Sequence, residues 1–167
     1  MPGRFEVVPN ALGFTVIRDY AHTPDGIDNV LSTVREITDR GLWCCSAVRG
    51  SGTAPSVLPW RRRWRSTPTL VILTSDNPRE EPEQKIIEDA LPGLIEGKKP
   101  YKILPDRYEA IEYALETCGE GDILLLLGKG HEDYQVLASG TIYFDEKEIV
   151  GELSRQIARQ RTEGSEK

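Results

Sequence analysis

A chain of 167 residues with 38% hydrophobic content is long enough for one α/β domain with its own core. Its formal net charge of -6 argues against a general nucleic-acid binder, because phosphate binding depends on clustered Lys and Arg. No apolar run reaches the length of a membrane span, and the first residues lack a signal peptide's apolar core. We therefore expect a cytoplasmic monomer that binds neither nucleic acid nor membrane.

The first quarter of the chain predicts a strand, a polar loop and a helix. Residues 13–17, after a leading segment, are rich in β-formers and predict the strand. The loop that follows carries Tyr20 and His22, although His22 alone is as consistent with an ordinary loop histidine as with a functional one. Thr23 is suited to cap a helix with Pro24 at its first position. Apolar residues then recur at helical spacing: Ile27, Val30, Leu31, Val34 and Ile37.

Residues 42–69 differ in character from the rest of the chain. They contain all three Trp, two adjacent Cys at 44–45, a tract of Ser, Gly, Thr and Pro, and an Arg-rich cluster at 60–65. Neither helical nor strand periodicity is visible, so we expect no regular strand or helix here. The cluster at 60–65 admits one other interpretation, a basic-aromatic patch for nucleic acid or membrane. Three Cys in all form neither a disulfide framework nor a zinc pattern, which predicts reduced thiols and no metal site.

A candidate recognition site follows the apolar run at 70–73, which is typical of a buried parallel strand. The sequence Asp-Asn-Pro-Arg at 76–79 comes directly after it, at the strand end where open α/β sheets bind ligands. Arg79 is suited to hold a carboxylate with two parallel hydrogen bonds, whereas Lys offers a point charge. The alternative is an Asn-Pro turn with a solvated Arg.

The second half of the chain alternates predicted helices and strands. In order, we expect a helix from about 81 with Pro92 as an internal defect, a strand at 101–104, a helix capped by Asp106, a strand at 122–127, a hairpin from 134–138 and 141–144, and a helix that begins at Asp145 and frays after Arg161. This alternation predicts a mostly parallel sheet with helices on both faces.

The loop Gly-Lys-Gly-His-Glu at 128–132 follows the second buried strand. Its glycines allow the backbone to approach a ligand closely, but it lacks the spacing of a Walker A loop, and a structural turn is an alternative. Glu132 and Arg79 leave the same edge of one sheet, from strand ends that we expect to be adjacent. An Arg for a carboxylate and a Glu for an ammonium together suit an amino acid.

Four motifs in series resemble those of the Mur ligases that add meso-diaminopimelate as third residue of the peptidoglycan stem peptide. They lie at 2–6, 19–25, 74–79 and 128–135. The resemblance implies that residues 1–22 are the end of a central ATPase domain and linker. It implies further that residues 23–162 form a Rossmann-like C-terminal domain of the α/β class, and that 163–167 form a tail.

The resemblance also implies an activity and a set of ligands. In such enzymes ATP, with Mg²⁺, phosphorylates the carboxylate of a UDP-N-acetylmuramoyl-dipeptide, and the incoming amine attacks the acyl phosphate. Diaminopimelate would contact Asp76, Asn77, Arg79, Gly128 and Glu132. The nucleotide side would be lined by Asp19, Tyr20 and His22. The P-loop and the magnesium ligands of those enzymes are absent from this sequence, so we expect no catalytic residue in it and no activity from it alone. The alternative is a non-catalytic α/β binding or interaction module.

Residues 42–69 lack the motif G-C-x-G-x-R-D-x-x-K-R-P-x-M found in those enzymes. Codons shifted by one base permit Arg-Asp-Arg-Thr-Lys-Arg-Pro-Pro-Met between Ser51 and Trp60. We therefore hypothesise that about 42–69 is a frame-shifted translation that removes a core strand, a helix and the substrate-facing Arg and Lys. The nucleotide sequence of the coding region tests this directly, since a region with no such frame would contradict it.

Overall fold

The computed structural model describes residues 1–48, 68–78, 82–96, 98 and 100–166. The described strands are β1 (Glu6–Val8), β2 (Thr15–Asp19), β3 (Leu42–Val48), β4 (Leu70–Ser75), β5 (Tyr101–Ile103), β6 (Ile123–Leu127), β7 (Tyr134–Leu137) and β8 (Gly140–Tyr143). The described helices are α1 (Pro24–Ile37), α2 (Glu83–Glu96), α3 (Arg107–Thr117) and α4 (Glu146–Ser165). No helix within these residues combines the length and the apolar character needed to cross a bilayer.

One six-stranded sheet organises the domain, in the order β1-β2-β6-β3-β4-β5. All neighbouring pairs are parallel except β1 with β2. Every residue of β6 is buried, as expected for a parallel strand covered on both faces. β7 and β8 form a separate antiparallel hairpin. The predicted mostly parallel α/β sheet is confirmed.

Helices cover both faces of this sheet, also as predicted. On one face α1 and α2 contribute Leu31, Val34 and Ile87 to a cluster that contains the alternate strand residues Leu73 and Leu125. On the other face α3 and α4 pack against Ile72 and Leu124, through residues that include Ile111, Leu115, Val150 and Leu153. Successive strand residues point to opposite faces, so one strand supplies both cores.

The prediction that residues 42–69 contain no strand is wrong for 42–48. β3 lies between β6 and β4, and its Cys44 and Cys45 are fully buried in opposite cores. Cys44, Cys45 and Cys118 are free cysteines, as predicted, and burial raises the pKa of the Cys45 thiol to about 11. β3 has neither the polar alternation of a half-exposed strand nor the aliphatic run of β4 and β6, which is why it was missed. Residues 49–67, which make up most of the proposed frame shift, lie outside the described residues.

Local capping chemistry was predicted correctly. The side chain of Thr23 accepts from Gly26 N at the start of α1. The side chain of Asp106 accepts from Glu109 N at the start of α3, and Asp145 caps α4 in the same way. The structure differs from the prediction in two places. β1 was not expected, and α4 continues to Ser165, whereas the helix was predicted to fray after Arg161. The domain boundary at residue 22 stays a prediction, and β1 and β2 before it belong to the same sheet as the strands after it.

Glu6 in β1 joins three parts of the chain and gives a pH-dependent prediction. Its carboxylate accepts from Arg18 Nε at 2.8 Å and from Gly3 N at 2.7 Å, with Lys147 Nζ at 3.6 Å. The Arg18 hydrogen bond, helped by the Gly3 amide, lowers the pKa of Glu6 from 4.5 to about 2.

We expect Glu6→Gln to destabilise the protein at neutral pH, with the difference shrinking as the pH falls from about 4.5 towards about 2. The sign follows because a depressed folded-state pKa stabilises only above the unfolded pKa. Urea unfolding of both proteins across that pH range measures the difference. A gap that stays constant down to the lowest pH would contradict the assignment.

Candidate substrate and nucleotide site

Three loops meet at the carboxyl edge of the sheet. One follows β4 and carries Asp76 and Asn77, one follows β6 at 128–133, and one follows β2 at 20–23. The strands β4 and β6 are not adjacent as predicted, because β3 lies between them. Their loops nevertheless reach each other across the end of β3.

Asp76 and Lys129 form a buried ion pair that joins two of these loops. Both side chains are 0% exposed, and Lys129 Nζ donates to Asp76 Oδ1 at 3.0 Å. Lys129 Nζ also donates to the carbonyl of Tyr134, and Glu132 Oε2 lies 3.9 Å from it. The predicted substrate contact Asp76 is therefore held inside the protein by Lys129, a residue the sequence did not assign.

The hairpin fixes the loop after β4 from the other side. Gln135 Nε2 donates to Asp76 O at 2.7 Å, and Val136 N donates to Asn77 Oδ1 at 2.9 Å. Gln135 is buried, whereas Asn77 is partly exposed. Sequence reasoning missed Gln135, because only the register of the hairpin reveals which of its polar residues faces inward.

The glycine loop at 128–132 touches the nucleotide side as well. Gly128 and Gly130 have φ values of 111° and 57°, a region that favours glycine. Gly128 N donates to Asp19 O at 3.0 Å. A Cβ on Gly130 would lie 2.8 Å from Gly3 O and 3.0 Å from Tyr20 Cβ, so a side chain there would force this contact apart.

The predicted nucleotide residues lie together in a cleft of about 310 Å³ beside the start of α1. Tyr20 and His22 present their rings edge to face at 5.2 Å. Asp19 acts differently, since its two carboxylate oxygens accept from the amides of Ala21 and Phe5, each at 2.7 Å. The cleft is lined by Arg4, Asp19, Tyr20, Ala21, His22, Thr23, Gly26 and Asn29.

Of the other predicted diaminopimelate contacts, Glu132 and Gly128 lie within the described residues. Glu132 is partly buried, with 14% of its side chain exposed, and Gly128 is buried at the end of β6. Arg79 lies outside the described residues. The pairing of Arg79 and Glu132 around one ligand therefore stays a prediction.

A second buried ion pair lies beneath the glycine loop. Arg107 and Glu146 are both 0% exposed, and Arg107 Nε donates to Glu146 Oε1 at 2.6 Å. Arg107 Nη2 donates to Leu127 O, the last residue of β6, at 3.1 Å. Burial opposes the charge of Arg107, but Glu146, Cys45 and Asp76 together outweigh burial and raise the Arg107 pKa. This pair was also missed, because helix-terminal charges are usually solvated.

The described part of the chain contains no set of side chains that could bind magnesium. No group of three His, Cys, Asp or Glu side chains there could hold a metal ion. The cleft with Tyr20 and His22 does offer ring faces and the amino end of α1, both suited to a nucleotide.

Comparison with known families decides the relationship of the chain. The profile of "Mur ligase, glutamate ligase domain" matches residues 3–130. The chain belongs to the Mur ligase family. The predicted family and its α/β fold are thus confirmed.

Two curated relatives carry the same name. The UDP-N-acetylmuramoyl-L-alanyl-D-glutamate--2,6-diaminopimelate ligase of Geobacillus thermodenitrificans is 40% identical over 152 residues, covering 89% of this chain and 30% of that protein. The enzyme of the same name from Clostridium tetani is 42% identical over 162 residues, covering 94% and 32%. The chain therefore spans about a third of the length of the curated relatives it matches.

Solved structures agree with this relationship. A structure of UDP-N-acetylmuramoyl-L-alanyl-D-glutamate--2,6-diaminopimelate ligase has a TM-score of 0.78 and 31% identity, covering 97% of this chain and 32% of that one. UDP-N-acetylmuramate-alanine ligase from Thermotoga maritima has a TM-score of 0.53 and 19% identity, covering 98% and 31%. At that identity the second likeness concerns the fold alone.

Proposed function

We propose that this chain is the amino-acid-binding part of an ATP-dependent ligase that joins meso-diaminopimelate to UDP-N-acetylmuramoyl-L-alanyl-D-glutamate. The names of its relatives support the reaction. The observation that carries the proposal is the junction of two loops at the sheet edge, where Lys129 binds Asp76 and Val136 binds Asn77. We propose further that the protein works in the cytoplasm as a monomer.

Within this reaction the residues of the chain hold and orient the incoming amino acid. Arg79 binds a carboxylate of diaminopimelate, and Glu132 accepts from its ammonium, while Gly128 allows close backbone approach. Asn77 offers a neutral amide beside them. Asp76 acts indirectly. Its carboxylate is bound to Lys129, and this bond keeps the adjacent Asn77 in place. The amine then attacks the acyl phosphate, an amide forms, and phosphate leaves.

The nucleotide side uses the cleft next to the same glycine loop. Tyr20 and His22 supply ring surfaces for ATP, and Asp19 shapes the loop through its hydrogen bonds to Ala21 N and Phe5 N. ATP supplies the phosphoryl group that activates the dipeptide carboxylate. The residues of this chain only position it.

Arg79→Ala is the variant that tests the proposed substrate. In a full-length ligase that carries this chain, we expect it to lose about 2–5 kcal/mol of transition-state stabilisation, as a charge-assisted contact does when one partner is truncated. The loss should appear in kcat/KM for diaminopimelate at saturating ATP, with the KM for ATP little changed.

Arg79→Lys should also be impaired, because a point charge cannot reproduce the guanidinium fork. Arg155→Ala, an exposed change on α4, is the matched control and should behave as the wild type. An unchanged kcat/KM in the Arg79→Ala enzyme would remove Arg79 from the site, leaving a solvated turn residue.

A further inference from the structure

Gln135 is a buried amide in a hairpin whose other residues are exposed or partly exposed. It is 6% exposed, whereas all four residues of β8 are exposed and Tyr134 beside it is 40% exposed. A buried amide must be paired, because an unpaired polar group loses its hydration without compensation. Its partner is Asp76 O, at 2.7 Å from Gln135 Nε2.

The next residue along the same strand binds the next residue of the loop. Val136 N donates to Asn77 Oδ1 at 2.9 Å. Two successive hairpin residues therefore hold two successive loop residues, one through a side-chain donor and the other through a backbone donor. The base of the hairpin is closed by Phe144 N, which donates to Asp133 O at 2.8 Å. Lys129 anchors the hairpin to the loop after β6, because it donates to the carbonyl of Tyr134.

This pairing sets the orientation of the Asn77 amide. Its oxygen accepts from Val136 N, which occupies one of its two lone pairs, and the NH2 group at the other end of the amide is a donor. A donor recognises a carboxylate oxygen and not an ammonium. The Asp76 carbonyl belongs to the peptide unit that joins Asp76 to Asn77, so its bond to Gln135 and the bond of Asn77 to Val136 N hold the same short stretch of backbone.

We propose that Gln135 is a positioning residue which, through Asp76 O, presents the Asn77 amide as a donor to a carboxylate of the amino-acid substrate. This inference rests on the proposed function. It makes the hairpin part of the substrate specificity of the domain, although Gln135 itself does not touch the substrate. Recognition of a second carboxylate is what separates a diamino-dicarboxylic acid from a diamino-monocarboxylic acid such as lysine.

The test uses the 167-residue chain with ¹⁵N labelling. Wild type, Gln135→Glu and Gln135→Met are titrated with meso-diaminopimelate and separately with L-lysine, and amide signals report the binding. Gln135→Glu keeps the shape but places an acceptor against a carbonyl, and Gln135→Met keeps the length without any donor. Gln156→Met, an exposed change on α4, is the matched control. Amide protection in β6 checks that each variant is folded.

We expect both Gln135 variants to bind diaminopimelate roughly tenfold more weakly than wild type, the size expected for one lost buried hydrogen bond. Their preference for diaminopimelate over lysine should shrink, and the Val136 amide should exchange faster without ligand. In a full-length ligase that carries this chain, the KM for diaminopimelate should rise while kcat and the KM for ATP hold. A residue that merely stabilised the hairpin would lower the melting temperature without changing this preference.

The outcomes separate the two proposals. Folded variants of either kind that bind both ligands as the wild type does would overturn the role of Gln135 and leave the proposed function intact. A wild-type chain whose amide signals do not respond to diaminopimelate would overturn the proposed site, and the inference would fall with it. Weaker diaminopimelate binding in the Gln135 variants, with Gln156→Met unchanged, supports the inference.

Discussion

Arg107→Met is expected to destabilise the protein by about 3–5 kcal/mol, the usual cost of removing one partner of a buried ion pair. Arg107 and Glu146 are both 0% exposed, so the substitution leaves a carboxylate inside the protein without its cation. It also removes the donor to Leu127 O at the end of β6. Equilibrium unfolding in urea measures the loss as a change in the free energy of unfolding.

The matched control is the double variant Arg107→Met, Glu146→Leu. Replacing both partners of a buried pair with apolar groups is often neutral, so much of the stability should return. Lys147→Met provides a second comparison. Lys147 is 51% exposed, and its Nζ lies 3.6 Å from Glu6 Oε1. Such exposed ion pairs contribute about 0–1 kcal/mol to stability. If Arg107→Met unfolds at the same urea concentration as Lys147→Met, the pair has no structural role.

The parts of the fold that were predictable from the sequence depend on local chemistry. Thr23 and Asp106 cap helices through their own side chains, and such signals occupy three or four consecutive residues. β6 is a run of five apolar residues bounded by Asp122 and Gly128, which suffices to identify a buried parallel strand. None of these assignments needs knowledge of distant contacts.

β3 needed distant contacts. Its residues Trp43, Cys44 and Cys45 gave no recognisable period, and the Ser-, Gly- and Pro-rich tract after it suggested irregular structure. Its strand conformation is set by its neighbours, because it pairs with β6 on one side and β4 on the other. The same oversight produced the expectation that β4 and β6 are adjacent. The frame-shift hypothesis for the following residues stays a prediction.

The sequence predicted that the loops of the candidate site meet, but it did not predict the contacts between their side chains. Carboxyl strand ends of a parallel sheet meet at one edge, which places the loops after β2, β4 and β6 together. Which charges face a ligand and which are buried depends on side chains far apart in sequence. Asp76 and Lys129 are 53 residues apart, and Gln135 is 59 residues from Asp76. Contact of Asp76 with the ligand stays a prediction, and its carboxylate is buried against Lys129.

Lys129→Met tests the buried ion pair with Asp76, because its effect on stability can be measured separately from ligand binding. We expect a loss of about 3–5 kcal/mol in the free energy of unfolding, because Asp76 would keep a buried carboxylate without its cation. The isolated 167-residue chain suffices for the measurement, so the result does not depend on activity. A lysine that instead faced the ligand would be solvated, and its replacement would change stability by no more than about 0.5 kcal/mol.

Asp76→Asn combined with Lys129→Met completes this test. The double variant removes both charges and keeps a polar side chain of the same size at 76, so we expect part of the lost stability to return. If Lys129→Met loses stability and the double variant regains part of it, the ion pair is a structural link between the loops after β4 and β6. If the loss of stability in the double variant equals the sum of the losses in Asp76→Asn and in Lys129→Met, then Asp76 and Lys129 do not interact. In that case Asp76 returns to being a candidate for direct contact with the amino-acid substrate.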